Sequence, residues 1–323
     1  MHLLVSAVVC THNRATVLRG ALASLAAQTL PQGSYEIVVV DNASTDATRD
    51  LVTRELTGIA GLRYVFEPQL GVSRARDAGW RAARAPLVAY LDDDAIAAPD
   101  WLARAVAGFA ELAPRPGCLG GPVLPIWEAP RPAWLPDALL PYLTVLELDQ
   151  GRGPMPRGKF LYGTNSVFPR EGLAEIGGYP AGLGPIGTWH RSGEDTFVQK
   201  RLRERGLQLW YDPALRVQHR VPAERLSRRW VLRRLYLEGL SRARQQLLMR
   251  APGPLGRMKL IGVALRKLFS SPRRVLALVL PAPTPDRFGR RASSWRRIGY
   301  LMGILGAGAG TQARGPGATR PPP

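Results

Sequence analysis

Cysteine, long apolar runs and, towards the C-terminus, acidic residues are scarce in this sequence of 323 residues. Cys10 and Cys118 give neither a disulfide framework nor a cysteine-ligated metal cluster, and they fit a reducing compartment. No stretch reaches the roughly 18 consecutive apolar residues of a membrane-spanning helix. The apolar start at residues 1–10 is short and lacks the basic residues of a signal peptide, so it predicts a first strand. We therefore expect a cytoplasmic protein.

The missing acidic residues divide the chain into two parts of different charge. Residues 1–223 contain 23 lysines and arginines against 22 aspartates and glutamates, whereas residues 224–323 contain 21 against 3. The near-neutral first part argues against a nucleic-acid-binding core. The basic second part predicts attachment to a polyanionic surface. We expect a catalytic or binding domain at 1–225, a helical extension at 226–305 and a disordered, Gly/Ala/Pro-rich tail at 306–323.

Apolar residues at helical spacing predict amphipathic helices in the basic extension. The three sets are Trp230, Val231, Leu235 and Tyr236; Met258, Ile261, Leu265 and Leu268; and Trp295, Ile298, Leu301 and Leu305. Basic helices with an apolar face suit an anionic membrane interface, which here would be the inner face of a plasma membrane. The same pattern fits packing on the first domain with a solvated arginine face, so both interpretations stay open.

Strands and helices alternate up to about residue 110, which predicts an α/β fold with a largely parallel sheet covered by helices. Polar residues follow the predicted strands, including Thr11, Asp41 and Asp92. The carboxyl ends of parallel strands share one edge of a sheet, and ligands bind there in open α/β folds. We expect these polar strand ends to converge on one site.

Three adjacent carboxylates, Asp92, Asp93 and Asp94, end the apolar strand that begins at Leu87. Carboxylates this close repel one another unless positive charge lies among them, and a hard divalent cation such as Mg²⁺ or Mn²⁺ is the best candidate. The alternative is a solvated acidic turn that caps the next helix.

Two further positions have a structural and a functional interpretation. Glu194 and Asp195 begin a predicted helix, where the helix dipole alone favours carboxylates. His219 ends a predicted strand, where a single histidine is usually structural. The functional interpretation of these residues depends on the other motifs of the sequence.

The middle of the chain changes character. Residues 114–142 contain eight prolines as well as Trp127 and Trp134, which predicts a long functional loop or lid. Residues 160–168 predict another strand, within a second half of the domain that we expect at residues 158–220.

Eight short motifs occur in a fixed order between about residues 4 and 240. They are Val9–Arg14, Val38–Asp46, Gly71–Gly79, Leu91–Asp94, Gly163–Asn165, Gly177–Tyr179, Gly193–Asp195 and the run Tyr211–Pro213 followed by Val217–His219. This ordered set resembles the family 2 inverting glycosyltransferases. The resemblance implies a GT-A fold, which is a Rossmann-like, three-layer α/β/α arrangement, and a nucleotide-sugar donor, most often a UDP-sugar.

The resemblance also implies roles for individual residues. The nucleotide would contact Thr11, Asn13, Arg14, Asp41, Asn42, Arg74, Arg76, Asp92 and Asp93. Asp94, Asp92 and His219 would hold the Mn²⁺ or Mg²⁺ ion. Asp195 would be the catalytic base with Glu194 beside it, and Asn165 and Trp189 would contact the acceptor. The acceptor would be a glycan or a lipid-linked sugar in bacterial surface-polysaccharide or glycolipid assembly.

Other functions remain as alternatives at this stage. A sugar nucleotidyltransferase would need a glycine-rich phosphate loop after the first strand, but Thr11–Arg14 contains no glycine. A non-catalytic scaffold of a polysaccharide assembly system would keep the fold and dock through the basic extension. The retained carboxylates at 92–94 and at 195 argue against that alternative.

Overall fold

The computed structural model describes residues 2–181, 183–184 and 192–306; Trp189 and the predicted tail beyond Gly306 lie outside the described residues. The chain forms two compact units. The first contains residues up to Pro132 together with Asp137–Ser227, and the second contains Ala133–Pro136 and the chain from Arg228 onwards. The functional domains expected at 1–225, 226–305 and 306–323 remain a prediction.

The described part of the first unit contains two β-sheets. The strands are β1 (Val5–Thr11), β2 (Tyr35–Asp41), β3 (Leu62–Phe66), β4 (Leu87–Asp92), β5 (Ala95–Ala97), β6 (Cys118–Gly120), β7 (Val123–Trp127), β8 (Gly153–Pro154), β9 (Ser166–Pro169), β10 (Leu209–Tyr211) and β11 (Val217–Val221). The large sheet has the order β3-β2-β1-β4-β9-β6-β10-β8, and β5-β11-β7 form the small one. Strands β1 to β4 run parallel, as predicted, whereas β9 pairs antiparallel with β4 and β6.

The described helices divide between the two units. Those of the first unit are α1 (Ala15–Ala26), α2 (Thr48–Asp50, continued by a π-helical turn at Leu51–Glu55), α3 (Val72–Ala82), α4 (Trp101–Glu111), α5 (Arg170–Glu175) and α6 (Glu194–Glu204). Those of the second unit are α7 (Arg228–Arg250), α8 (Pro254–Phe269), α9 (Pro272–Val279) and α10 (Pro285–Ile304).

Two apolar clusters cover opposite faces of the large sheet, because side chains alternate along a strand. Val9 of β1 lies in the cluster that contains Leu22 of α1 and Trp101 of α4. Its neighbour Val8 lies in the cluster that contains Trp80 of α3 and belongs to the opposite face. The first unit is therefore a three-layer α/β/α structure with a mostly parallel sheet.

The strand register aligns the polar strand ends. Thr11 at the end of β1 pairs with Asp41 at the end of β2, and Cys10 pairs with Asp92 at the end of β4. The three parallel strands therefore end level with one another, and the turns that follow them share one edge of the sheet. This alignment places the carboxylates of residues 92–94 beside the turn that follows β1.

The prediction of a long loop at 114–142 was wrong for about half of the segment. The segment contains β6, β7 and a 3₁₀ helix at Asp137–Leu143. Gly120 and Gly121, which usually mark turns, are instead needed because a Cβ atom at either position would lie within 2.4 Å of a backbone oxygen. Pro125 is tolerated in β7 because that strand is at the edge of its sheet.

The strand predicted at 160–168 is shorter than expected. A 3₁₀ turn at Gly163–Asn165 precedes β9, so the strand begins only at Ser166. Gly163 in this turn contacts a buried arginine of the first unit, as described below.

The second unit is built around a close pair of helices, α7 and α10. A Cβ atom at Gly239 of α7 would lie 2.0 Å from the Arg296 oxygen, and one at Gly299 of α10 would lie 2.0 Å from the Tyr236 oxygen. The two backbones are therefore in direct contact. Among the described helices, none combines the length and hydropathy required to cross a membrane.

Candidate active site

The three carboxylates after β4 are compensated by side chains of this chain. Arg14, directly after β1, donates from Nη1 to Asp93 Oδ1 and from Nη2 to Asp94 Oδ2, both at 2.7 Å. The Thr11 hydroxyl donates to Asp93 Oδ2 at 2.8 Å. Burial, together with the nearby Asp94, raises the pKa of Asp93 to about 7. The like-charge argument for a metal is therefore incomplete, because arginine supplies positive charge here.

Arg76 of α3 joins the third carboxylate to the start of α6. Its guanidinium is 5% exposed and pairs with Asp92 at 3.2 Å, with Glu194 at 3.1 Å and, in a shorter contact, with Asp195. A Cβ atom at Gly163 would lie 2.3 Å from Nη2 of Arg76, so the guanidinium lies flat against that glycine. Burial raises the pKa of Asp92, and Arg76 opposes the rise.

Glu194 and Asp195 begin α6 as the sequence predicts, after Gly193 in the left-handed region at φ 111°. They differ in their surroundings. Asp195 keeps 20% of its side chain exposed and accepts a hydrogen bond from the Gly163 N–H at 3.0 Å. The Glu194 side chain is only 8% exposed, and among the described residues its Oε2 atom has no hydrogen-bond partner. Burial and the adjacent Asp195 raise the pKa of Glu194 to about 7.

His219 and Asp94 form a carboxylate–imidazole pair. His219 lies on β11 and is 3% exposed, and its Nε2 atom is 3.3 Å from Asp94 Oδ1. Burial alone would raise the pKa of Asp94, but the hydrogen bond with His219 and the Arg14 guanidinium hold it well below its usual range. Arg225 also approaches Asp94, at 3.9 Å.

The residues around Asp94 fit a divalent cation that also contacts a ligand. Among the described residues, no group of three or more His, Cys, Asp or Glu side chains forms a complete metal site. Carboxylate and imidazole donors suit Mn²⁺, and Mg²⁺ is commonly held by one or two carboxylates together with substrate phosphates. Asp94 and His219 supply two such donors, and a phosphate ligand would supply the rest.

The predicted nucleoside residues lie in the loops that follow β1 and β2. Asp41 is 1% exposed and accepts hydrogen bonds from the Ser44 N–H and the Tyr64 hydroxyl. Asn13, at φ 53°, accepts from the backbone N–H of Thr45 at 2.7 Å. These contacts order the loop after β2 beside the loop after β1.

Several predicted site residues have other surroundings than expected. Asn42 is buried and hydrogen-bonds to Glu67, Gln69 and Gly71, so it ties the loop after β2 to the start of α3. Arg74 is exposed, whereas Arg76, two residues later on α3, is buried in the site.

The expectation that Asn165 contacts the acceptor needs correction. Asn165 is fully buried. Its amide donates to the Pro122 and Leu215 oxygens, and its Oδ1 atom accepts from the Trp101 indole. These bonds leave no surface of Asn165 for an acceptor to contact.

The sequence patterns did not predict two features of the site. Arg225 precedes the basic helices, and nothing in its local sequence marks it as a neighbour of Asp94. The link that Arg76 makes between Asp92 and the start of α6 spans more than 100 residues, so local sequence patterns give no signal for it.

Comparison with known proteins identifies the family. The model of glycosyl transferase family 2 matches residues 6–177, which is more than half of the chain and includes β1 to β4 and the carboxylates after β4. The chain belongs to glycosyl transferase family 2. The assignment confirms the resemblance that the ordered motifs indicated.

Curated relatives of this chain include enzymes of two kinds. It is 34% identical over 227 residues to a validoxylamine A glucosyltransferase of Streptomyces hygroscopicus subsp. jinggangensis, covering 63% of this chain and 52% of the relative. It is 30% identical over 249 residues to the glucosyl-dolichyl phosphate glucuronosyltransferase of Haloferax volcanii, covering 76% and 78%. The chain therefore spans about half the length of the first relative and most of the second.

Solved structures support the predicted GT-A fold. The mannosyltransferase PcManGT from Pyrobaculum calidifontis, solved with GDP-Man and Mn²⁺, superimposes with a TM-score of 0.60 at 21% identity over 94% of this chain and 86% of that one. S. aureus TarS 1-349, solved with UDP-GlcNAc, gives a TM-score of 0.56 at 16% identity over 92% and 90%. The chain has the GT-A fold.

Proposed function

We propose that this glycosyltransferase transfers a sugar from a nucleoside diphosphate donor, preferably a UDP-sugar, to an acceptor hydroxyl with inversion and with a divalent cation. The observation that carries the proposal is the convergence at one sheet edge of two groups. One is the pair Asp94 and His219, which suits a cation. The other is the pair Glu194 and Asp195, which suits proton transfer, and Arg76 connects it to Asp92.

Asp195 is the better candidate for the base. A base must reach the acceptor hydroxyl, and the Asp195 side chain is the more exposed of the two. Arg76 and the Gly163 N–H hold its carboxylate in place. Glu194 has a pKa raised to about 7 and is buried, so it carries a proton for much of the time at neutral pH and limits the negative charge beside Asp195.

The donor diphosphate would be bound at the carboxylates after β4. Asp94 and His219, with Asp92 beside them, would hold Mn²⁺ or Mg²⁺, which when bound stabilises the negative charge of the departing diphosphate as a Lewis acid. Arg14 already bridges Asp93 and Asp94, and its guanidinium is suited to pair with a phosphate when the donor enters. The loops around Asp41 and Asn13 would contact the nucleoside.

The proposed acceptor is a glycan or a lipid-linked sugar, in polysaccharide or glycolipid assembly. The Haloferax volcanii relative is described as acting on a glucosyl-dolichyl phosphate, and the Streptomyces relative as a glucosyltransferase. Both descriptions support transfer of a hexose or a hexuronic acid. The nucleotide is less uniform, because the TarS structure holds UDP-GlcNAc and the PcManGT structure holds GDP-Man.

Thermal unfolding with ligands tests the donor and the cation. A ligand that binds only the folded state raises the melting temperature by mass action. We expect UDP or a UDP-sugar with Mn²⁺ to raise it, and Asp94→Ala and His219→Ala to abolish the Mn²⁺-dependent part. Asp137→Ala is the matched control, because that side chain is 84% exposed. A shift of equal size without Mn²⁺ contradicts the cation dependence, and no shift with any nucleotide favours a non-catalytic scaffold.

Turnover of the donor tests the base separately. Asp195→Asn is expected to bind the donor as the wild-type protein does, with the same Mn²⁺-dependent shift, but to lose at least about 100-fold in turnover. The anomeric configuration of the product, followed by NMR, tests inversion. Near-wild-type turnover by Asp195→Asn with an intact fold contradicts the assignment of Asp195.

A further inference from the structure

Helices α8 and α9 leave most of their apolar side chains uncovered. In α8 only Ala264 and Leu268 are buried, and the side chains described for α9 include none that is buried. The exposed large apolar residues of this segment are Leu255, Met258, Val263, Leu265, Phe269, Val275, Leu276, Val279 and Leu280. We call them the α8–α9 apolar face. An apolar patch of this extent usually marks an interaction surface.

The exposed apolar side chains of α8 share one side of the helix. Leu255, Met258, Leu265 and Phe269 follow at spacings of three, seven and four residues, which places them on one side of α8. The exposed fractions reach 76% at Leu255 and 63% at Phe269. Val279 at the end of α9 is 77% exposed. Side chains this exposed have little contact with the other described residues.

The long helices of the same unit, α7 and α10, are packed against each other. Helices α7 and α10 pack backbone to backbone at Gly239 and Gly299, and Phe288 of α10 is 1% exposed and packs edge-to-face on Trp134. The unit therefore has a core of its own. The apolar face of α8 and α9 is additional to that core and is not needed to complete it.

Charge indicates what covers the face. Between Glu238 and Asp286 the sequence has no acidic residue but nine arginines and lysines. On α8, Lys259 and Arg266 are exposed and flank the apolar face on its side of the helix, and Lys267 is exposed nearby. A protein partner with an apolar surface would not require this excess of positive charge, whereas anionic lipid headgroups are attracted by it.

We propose that α8 and α9 bind an anionic lipid bilayer, with their apolar face in the boundary between headgroups and acyl chains. At 16 residues α8 is about 24 Å long, which is less than the roughly 30 Å thickness of a bilayer core, so it suits a position parallel to the surface. Helices α7 and α10 form the rigid pair that carries them. This surface is independent of the reaction proposed above.

Vesicle sedimentation with the full chain tests the proposal. The vesicles contain phosphatidylcholine alone or phosphatidylcholine with phosphatidylglycerol, at low and high salt. We expect binding to the anionic vesicles only, weakened by salt. Arg266→Gln with Lys267→Gln should lower the partition constant by about 25-fold, at about fivefold for each charge. Leu276→Gln with Val279→Gln should lower it at least about tenfold.

Control variants distinguish binding through the α8–α9 apolar face from non-specific binding to vesicles. Arg84→Gln with Arg157→Gln removes two exposed charges from the first unit and should leave vesicle binding unchanged. Each variant must keep the wild-type melting temperature, and Met258→Gln with Phe269→Gln provides a second apolar pair if the first does not fold. Equal binding to neutral vesicles overturns the proposal, as does equal loss in the control variant. Self-association without lipid that the apolar variants abolish also overturns it, because a second copy then covers the face.

Discussion

Replacing Arg76 tests the charge organisation of the active site most directly. Its buried guanidinium is the shared cation of Asp92, Glu194 and Asp195. Arg76→Met keeps an unbranched side chain but removes that cation. Removing one partner of a buried ion pair costs about 3–5 kcal/mol, because the charge that remains has no compensation.

The exposure of the three carboxylates sets the expected value within that range. Asp92 and Asp195 are 36% and 20% exposed, so water compensates part of their charge, whereas Glu194 is 8% exposed. We therefore expect Arg76→Met to lower the free energy of unfolding by about 3 kcal/mol at about pH 8. Without Arg76 the pKa values of Asp92 and Glu194 rise further. The loss should therefore be complete above those folded-state values and should shrink as the pH falls towards about 4, where protonated carboxyl groups need no cation.

Urea unfolding followed by circular dichroism at about pH 5 and about pH 8 measures both quantities. Arg81→Met is the matched control, because Arg81 lies on the same helix, is 58% exposed and pairs with Asp77 at the surface. Such a pair contributes about 0–1 kcal/mol. Arg76→Met with Glu194→Gln should recover part of the loss. A loss below about 1 kcal/mol, or one that does not change with pH, would refute the reasoning.

Three further predictions follow from close contacts and from burial. Gly163→Ala should displace the Arg76 guanidinium, lower stability by about 1–3 kcal/mol and reduce turnover, whereas Gly151→Ala, with open space around it, should do neither; equal melting temperatures and rates for the two would contradict this. The pKa of Glu194 is raised from 4.5 to about 7, so its contribution to stability is present below 4.5 and is lost as the pH rises to about 7. Glu194→Gln should remove that pH dependence from urea unfolding curves, and an unchanged slope would contradict the raised pKa. Gly299→Ala should separate α7 from α10 and lower the melting temperature, whereas Gly262→Ala on exposed α8 should not; a pair of similar melting temperatures would show that the helices adjust.

The parallel half of the fold was predictable from the sequence because its signals are local. Apolar runs end in Thr11, Asp41 and Asp92, and a helix follows each of them, after the short strand β5 in the case of Asp92. Parallel pairing then aligns these ends without further information. The start of α6 at Glu194 was predictable for the same reason, since Gly193 and two acidic residues mark a helix N-terminus.

The rest depends on contacts between distant residues. Gly120 and Gly121 are typical of turns, yet here they allow backbone contact with the segments at 165 and 212–215. The motif of Asn165 indicated a residue that contacts a ligand, but in the folded chain its amide binds the backbone oxygens of Pro122 and Leu215. Arg76 was expected at a diphosphate, and only the folded chain shows that it contacts both Asp92 and the acidic pair of α6. Local sequence carries no record of such pairings.

The charge balance of the site explains why a cation is expected to accompany the donor. Five carboxylates, those of Asp92, Asp93, Asp94, Glu194 and Asp195, lie around the guanidinium groups of Arg14 and Arg76. Burial offsets part of the excess by raising the pKa values of Asp93 and Glu194 to about 7, so that both groups are partly protonated near neutral pH. The proposed donor diphosphate would add negative charge to this site, where Arg14 is already bonded to Asp93 and Asp94. A divalent cation held by Asp94 and His219 would supply positive charge for those phosphates, which is why we expect the cation to accompany the donor.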